Sequence, residues 1–398
     1  MAKLVGSYKV LLRSPTGELL ALFDAFSQLK LTHLVNNIGT CEIVFDGDDA
    51  RYNLFELNGI VEVLRKLPGH EPLAVPAALR RGNGWYAEWS GLHTDLEQNI
   101  YQNGRQQFTS RCVSGLDLVQ RREVLWKATE GASESKKLST PAQTAMHEFV
   151  EQNCGAGALA SAGRLVDGAI TGFHVAATQG LGVNWSGSRA YTNVLEVVQD
   201  IGDYAGIDFD VTHAGNGEWL FESYADQLGE DRTTNGLGPD GKNAAGNAPV
   251  IFAVELGNVE QVTRTVLNGG TANVVAALGK DQYEDREVVV RSRSADIDAR
   301  RLNQREVSRN CNTQDDDGSL ETSAYEWLAS KQAADDFSFT PLVAASTLYG
   351  VHYWWGDRVT ARAFGTEQDK RLVGVTINVT GQGEFMQSWE FATIPRTR

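Results

Sequence analysis

His93-Thr94-Asp95-Leu96-Glu97-Gln98-Asn99-Ile100-Tyr101, then Asn103-Gly104, then Gln106-Gln107-Phe108-Thr109-Ser110-Arg111-Cys112-Val113: this stretch decides the fold class. Two runs of strand-forming residues flank an Asn-Gly pair. Asn-Gly supplies the positive φ values that a two-residue hairpin turn requires. A second hairpin of the same kind lies near the end of the chain. Val373, Val375, Ile377 and Val379 alternate toward one face. After Gly381-Gln382-Gly383, the residues Phe385, Gln387, Trp389 and Phe391 do likewise, with one polar interruption.

Working outward, three zones separate. Zone 1–130 reads as β, with Tyr8-Lys9-Val10-Leu11-Leu12, a turn at Pro15-Thr16-Gly17, and a partner strand from Leu19 to Phe23. Zone 131–250 mixes helix and strand. Thr140 can cap a helix whose first position is Pro141, with Gln143 completing a capping box and Met146, Phe149 and Val150 on one face, up to a stop at Gly155. A second helix spans Asn193 to Tyr204 and ends at Gly206, with Val194, Val197, Val198 and Ile201 at helical spacing. A hairpin follows, from Ile207 to Val211 and from Trp219 to Phe221 around Ala214-Gly215-Asn216-Gly217. Residues 235–249, rich in Gly, Asn and Pro, read as an exposed loop or linker. Zone 251–398 returns to β with one helix, started at Asp317-Gly318-Ser319, where acidic groups suit the dipole. No short internal repeat is apparent.

The 398 residues exceed what one core usually organises, so several domains are expected. Lys and Arg number 36 against 51 Asp and Glu, a formal charge of −15. Phosphate binding needs clustered cations, so a chain that coats nucleic acid is excluded. The four cysteines, Cys41, Cys112, Cys154 and Cys311, are dispersed, which gives no zinc pattern and fits reduced thiols. No apolar run approaches a membrane span. The start, Met1 to Ser7, lacks the apolar segment of a signal peptide, so synthesis and residence in a cytoplasm are expected.

Catalytic and ligand motifs fail on inspection. Gly236-Leu237-Gly238-Pro239-Asp240-Gly241-Lys242-Asn243 has the shape of a phosphate loop, but Asn243 offers no hydroxyl for magnesium. His147-Glu148 begins a zinc-protease motif, but Glu151 stands where its second histidine belongs. Aligning Gly318 of Asp315-Asp316-Asp317-Gly318 to a calcium loop puts Thr313 and Ala324 at two key ligand positions. Glu218 and Glu222 on one strand would lie ~13 Å apart, beyond the ~5–9.5 Å of glycosidase pairs. No nucleophile elbow occurs, and the histidines (among them His33, His93, His174 and His352) are scattered. Trp354, Trp355 and Trp389 fall in strand patterns, where packing is the usual role. No catalytic, cofactor-binding or metal residue is therefore assigned, and no cofactor is expected.

Several segments, taken in order, resemble one family. They are Tyr8 to Leu12, Leu29-Lys30-Leu31, and Asn36-Asn37-Ile38-Gly39 leading into the strand Thr40 to Phe45. Gly59 to Arg65 and Trp85 to Gly91 follow, then Val194 to Ile201 with Gly206-Ile207-Asp208-Phe209. Leu228 to Thr233, Glu255 to Val259, Arg305-Glu306, and the Gly-Asp-x-Val turn within Tyr353 to Thr360 complete the set. This order is similar to that of the hub proteins of phage tail tips and baseplates, including hub-like tail proteins of siphophages. The resemblance implies a mainly β fold, with two tail-tube-like β-barrels (1–130 and 251–398) flanking an inserted α+β domain (131–250). It implies a virion structural protein, not an enzyme. Three copies would form a ring that adapts a sixfold tube to a threefold tip and lets DNA pass during ejection. The implied partners are two further copies in a homotrimer, a tail tube or distal tail protein, a tape measure protein, and a tip, fibre or spike protein. Sequence-specific nucleic acid and stable membrane insertion are not among them. The implied location is the virion tail tip, after assembly in the host cytoplasm, with acidic residues lining the lumen. The competing expectation from tryptophan count and β character is a tail-associated cell-wall hydrolase or carbohydrate-binding module. A third is the spike base of a bacterial injection machine.

Overall fold

The computed structural model describes residues 6–126, 135–267, 269–279, 286–299, 302–311, 319–331, 334–342, 344, 346–381 and 383–393. The first zone carries β1 (Ser7–Arg13), β2 (Leu19–Phe23), β3 (Gln28–Leu34), β4 (Thr40–Asp46), β5 (Ile60–Lys66), β6 (Arg80–Gly82), β7 (Trp85–Ile100), β8 (Gln106–Ser114) and the short α1 (Asp117–Gln120). The middle carries β9 (Ser135–Pro141), α2 (Ala142–Asn153), β10 (Phe173–Val175), β11 (Asn184–Arg189), α3 (Val194–Ala205), β12 (Asp208–Gly215), β13 (Glu218–Tyr224) and β14 (Asp231–Arg232). The last zone carries β15 (Ile251–Ala253), β16 (Val259–Leu267), β17 (Val274–Leu278), β18 (Val288–Ser292), α4 (Ser294–Asp298), β19 (Glu306–Asn310), α5 (Ser319–Ser330), β20 (Ala334–Pro341), β21 (Arg358–Ala363), β22 (Thr366–Thr380) and β23 (Gly383–Thr393).

The class is mainly β with a mixed insert, as the sequence implied. Its first and last zones are continuous. One 13-stranded sheet runs β14-β21-β22-β3-β4-β8-β7-β5-β1-β2, with β15 on β21, β23 on β22 and β6 on β7. Among the described residues this path has two ends, so no ring of strands closes within it. One core unites the zones: Val10, Leu31, Phe45 and Trp89 from the first share it with Phe252, Phe337, Tyr353 and Ile377 from the last. Phe45 packs with Phe23 at 4.9 Å and Tyr52 at 5.0 Å between ring centroids. Each fully buried large apolar side chain there contributes about 1.5–3 kcal/mol.

A second core forms where α2 and α3 cover the β10-β13-β12 sheet, with Met146, Phe149, Val197, Ile201, Phe209 and Phe221 fully buried. Helix α3 follows its sequence signals closely. Asn193 accepts from the Leu195 N–H, and Gly206 takes a left-handed φ of +66° at the C-terminal cap. A third, small core packs Leu320, Ala324 and Leu328 of α5 against Val275 and Ala277 of β17. The last zone thus holds a unit of three strands and α5, with α4 besides, where the sequence suggested one helix alone.

Local expectations are corrected in three places. The first hairpin turns through three residues: the Tyr101 N–H donates to Arg105 O at 2.8 Å, and Gly104 supplies a positive φ of +79°. At the start of α2 the cap is Pro141, without a side-chain bond. Gln143 is buried instead, and its Oε1 accepts from the Gln179 and Leu181 N–H groups at 2.8 and 3.1 Å. In β22 a bulge at Val373 shifts the alternation, so Leu372, Val375, Ile377 and Val379 face the core. The proposed helix start at Asp317 and Gly318 lies outside the described residues.

Candidate functional site

The residues that organise this molecule sit at its joints. The first joint is the seam between the outer zones. Strand β3 pairs antiparallel with β22 from Leu34↔Gly374 to Gln28↔Thr380. Leu29 and Leu31 stand beside Val379 and Ile377 there, and all four are buried. Behind the seam lies a buried ionic cluster. Arg65 of β5 donates from Nη1 to Glu88 Oε2 of β7 at 3.2 Å and to the Tyr86 hydroxyl at 2.7 Å. Its other Nη pairs with Glu384 of β23, and Nε reaches Glu384 Oε2 at 3.3 Å. Glu88 Oε1 also meets His33 Nε2 of β3 and the Tyr349 hydroxyl, each at 3.2 Å. Taking an arginine out of water is unfavourable unless its charge and donors are matched, and two carboxylates do so here. Burial holds the Tyr86 and Tyr349 hydroxyls well above the usual phenol range, which keeps both protonated, Tyr86 accepting from Arg65 and Tyr349 donating to Glu88.

The second joint is Asp208, at the head of β12. It is 2% exposed and touches all three zones. Its Oδ1 accepts from Asn36 Nδ2 at 3.0 Å, its Oδ2 accepts from the Leu228 N–H at 2.6 Å, and it pairs with Arg371 of β22. Asn36 holds a left-handed φ of +56°, and its own Oδ1 accepts from the Phe209 N–H at 2.9 Å. Asn tolerates that conformation because its short side chain bonds locally. The Asn36 turn and the Gly206-Ile207-Asp208-Phe209 segment, both drawn from sequence, therefore meet in space.

A third joint does the same for two other segments. Asp357 of the Gly-Asp-x-Val turn accepts from the Glu230 N–H at 2.7 Å, the Trp354 N–H at 2.8 Å and Arg232 Nε at 2.7 Å. Burial pushes its carboxyl up to about 6, against the opposing pull of Arg232 and the N–H donors. Parallel pairing of β14 with β21 follows from this anchor. The segment 235–249 then returns along it, with buried Asn243 donating to Asp231 O at 2.8 Å and Thr233 O at 3.1 Å. The expected loop is thus pinned at its centre, and the phosphate-loop lookalike uses its asparagine as a strut.

The remaining chemical candidates are not brought together. Glu218 pairs with His174 at 2.5 Å, while Glu222 takes the Tyr224 hydroxyl at 3.4 Å and Thr212 at 3.5 Å. His147 bonds Ala176 O at 2.8 Å and Ser223 Oγ at 2.7 Å, and burial lowers its pKa. Among the described residues no group of three His, Cys, Asp or Glu side chains forms a metal cage. Residues 315–318 lie outside the described residues. Trp354 is buried and stacks on Tyr349 at 4.9 Å, and Trp355 stacks on His33 at 5.1 Å, so both pack at the seam. Sequence reasoning did not single out Arg65, Glu88 or Glu384. The available signal was charge placed inside otherwise apolar strands, at Arg65 in β5 and Glu88 in β7.

A model of the family described as Siphovirus ReqiPepy6 Gp37-like protein matches residues 9–391. No curated protein matches the chain. Among solved structures, the chain is similar to the 43 kDa tail protein of prophage MuSo2 from Shewanella oneidensis. The TM-score is 0.51 at 10% identity, over 94% of this chain and 96% of that one. It is also similar to the tail protein from Neisseria meningitidis MC58, with a TM-score of 0.49 at 10% identity over 95% and 94% of the two chains. At such identities the first of these likenesses establishes fold alone.

Proposed function

Because the chain belongs to the Siphovirus ReqiPepy6 Gp37-like protein family, we propose that it is a structural subunit of a phage tail, a hub at the tail tip. The observation that carries this reading is the β3–β22 seam, which sets two β lobes side by side in a single chain. Three chains in a row then present six lobes, which is what a sixfold tube needs from a threefold tip. The division 1–130, 131–250 and 251–398 into lobe, insert and lobe is part of the proposal. So are a homotrimeric ring, and contacts with a tail tube or distal tail protein, a tape measure protein and a tip, fibre or spike protein.

In this reading the virion tail tip is reached after assembly in the host cytoplasm, and DNA passes through the ring. The charge of −15 supports passage, because an acidic lumen repels phosphate and lets it slide. The protein breaks no bonds. A peptidoglycan zymogram with the purified chain is expected to show no clearing. Clearing that disappears in Glu218→Gln or Glu222→Gln would overturn that part. Labelling of the chain in purified particles tests the rest: label is expected at the tip, and label along the tube or on the head would refute the hub.

A further inference from the structure

Two of the four cysteines face each other. Cys41 of β4 stands opposite Cys112 of β8 in the antiparallel ladder, and both lie in the first core, 1% and 2% exposed. The Ser114 N–H bonds Gly39 O at one end of that ladder, and the Gly47 N–H bonds Gln106 O at the other, each at 2.9 Å. Counting in twos from either end makes Cys41 and Cys112 a directly hydrogen-bonded pair, whose Cα atoms lie about 5.5 Å apart. That separation is within the range that a disulfide spans. Both are free thiols in this structure, and Cys154 and Cys311 lie away from them in the second and third cores.

The row continues on the far side of Cys112. His93 of β7 is its opposite residue there and is buried as well. The Ser110 hydroxyl reaches both His93 Nδ1, at 2.8 Å, and Cys112 Sγ, at 3.4 Å. These neighbours make the two thiols unequal. Burial raises the pKa of Cys41, and its hydrogen bond to Cys112 raises it further. For Cys112 burial also acts upward, but bonds with Cys41, His93 and Ser110 outweigh it and lower the thiol. The arrangement is that of an attacking thiolate with a resolving thiol in contact with it.

We propose that Cys41 and Cys112 are a redox modification site, closing to a disulfide with a peroxide as oxidant and His93 holding the proton in between. The Cys112 proton passes to His93, and the thiolate attacks one peroxide oxygen. The O–O bond breaks, an S–O bond forms, and the leaving hydroxide takes the proton back from His93 as water. The Cys41 sulfur then attacks the Cys112 sulfur. An S–S bond forms, the S–O bond breaks, and the departing hydroxide carries off the Cys41 proton as a second water. Two thiols are oxidised and one peroxide is reduced to two waters. Shielding sets the pace, because peroxide reaches the pair through local opening of the sheet. The adjoining Cys41 captures the sulfenic acid before a second peroxide takes it to the sulfinic acid. The bond closes a loop of 112 − 41 = 71 residues and ties β4 to β8, next to the β3–β22 seam. Such a latch stays open where thiols are kept reduced and closes where they are not.

The test exposes the full-length chain to millimolar hydrogen peroxide in native buffer for a day. The chain is then unfolded, its remaining thiols are blocked with iodoacetamide, and its peptides are mapped by mass spectrometry. The expected product is one linked species that holds Cys41 and Cys112 and is lighter than the two thiol peptides by two hydrogens, with Cys154 and Cys311 alkylated. The oxidised chain is expected to melt about 5 °C above the same sample treated with dithiothreitol. In Cys41→Ser the link is expected to vanish, and Cys112 to collect as a sulfenic acid that dimedone traps on unfolding. Cys41 and Cys112 both alkylated in the treated wild type, or Cys112 carried to the sulfinic acid with Cys41 still free, would overturn the proposal. So would a folded Cys41→Ser chain with no dimedone on Cys112.

Discussion

Replacing Asp208 with alanine removes an acceptor that three zones share. The side chain is 3% exposed, and its ion partner Arg371 is 15% exposed, so water replaces little of what is lost. Removing one member of a buried ion pair destabilises by about 3–5 kcal/mol, because the partner charge stays buried without compensation. The Leu228 N–H and the Asn36 amide lose an acceptor in the same change, and an orphaned buried donor costs about 1–3 kcal/mol. The two losses share one relaxation, so the expected total is about 4 kcal/mol rather than their sum. Asp208→Asn keeps the shape and one oxygen, and should lose about half as much. Differential scanning calorimetry reads a second effect. With the joint cut, the helical core around α2 and α3 should melt separately from the β core, which turns one transition into two. A double-mutant cycle with Arg371→Met isolates the pair, and its coupling should exceed about 1 kcal/mol. Asp208→Ala melting within about 1 kcal/mol of wild type, in a single transition, would show that Asp208 does not hold the three zones together.

Other perturbations follow from the same geometry. Arg65→Met strands the carboxylates of Glu88 and Glu384 inside the seam, so chemical denaturation should report a loss of about 3–5 kcal/mol. Gly229→Ala puts a methyl 2.3 Å from the Asp357 backbone nitrogen, and forcing the Gly-Asp turn off β14 should cost about 1–3 kcal/mol by the same assay. Asp210, opposite Glu222 across β12 and β13, has its carboxyl pushed up by burial from 3.8 to about 7. The folded state then holds the proton more tightly than the unfolded chain, so wild-type stability should fall between about pH 4 and pH 7 and stay level above that. Asp210→Asn should melt higher than wild type at pH 8 and equally below pH 4, and a flat difference between those pH values would contradict the assignment.

How far the sequence could be read depends on the range of the interaction involved. Helix α3 was legible because Asn193, the apolar spacing and Gly206 all act within one turn of their targets. The β7–β8 and β22–β23 hairpins were legible from alternation, but their bulges at Thr94 and Val373 were not, because a bulge is set by the partner strand. The start of α2 misled for a similar reason. Gln143 has the spacing of a capping residue, yet a loop 36 residues further on supplies better donors. The seam is less legible still. Strands β3 and β22 are far apart in the chain, and nothing local to either marks the other as its partner. The Asn36 turn, the Asp208 segment and the Gly-Asp turn were found as separate pieces. Their roles appear only when the fold brings Asn36 to Asp208 and Glu230 to Asp357.

Electron cryo-microscopy of intact particles, without imposed symmetry, counts the copies at the tip and shows how their lobes are arranged. Three copies are expected at the tail tip, with six β lobes alternating first, second, first, second around one axis. A ring of six copies, or three copies whose lobes lie in separate layers, would contradict it.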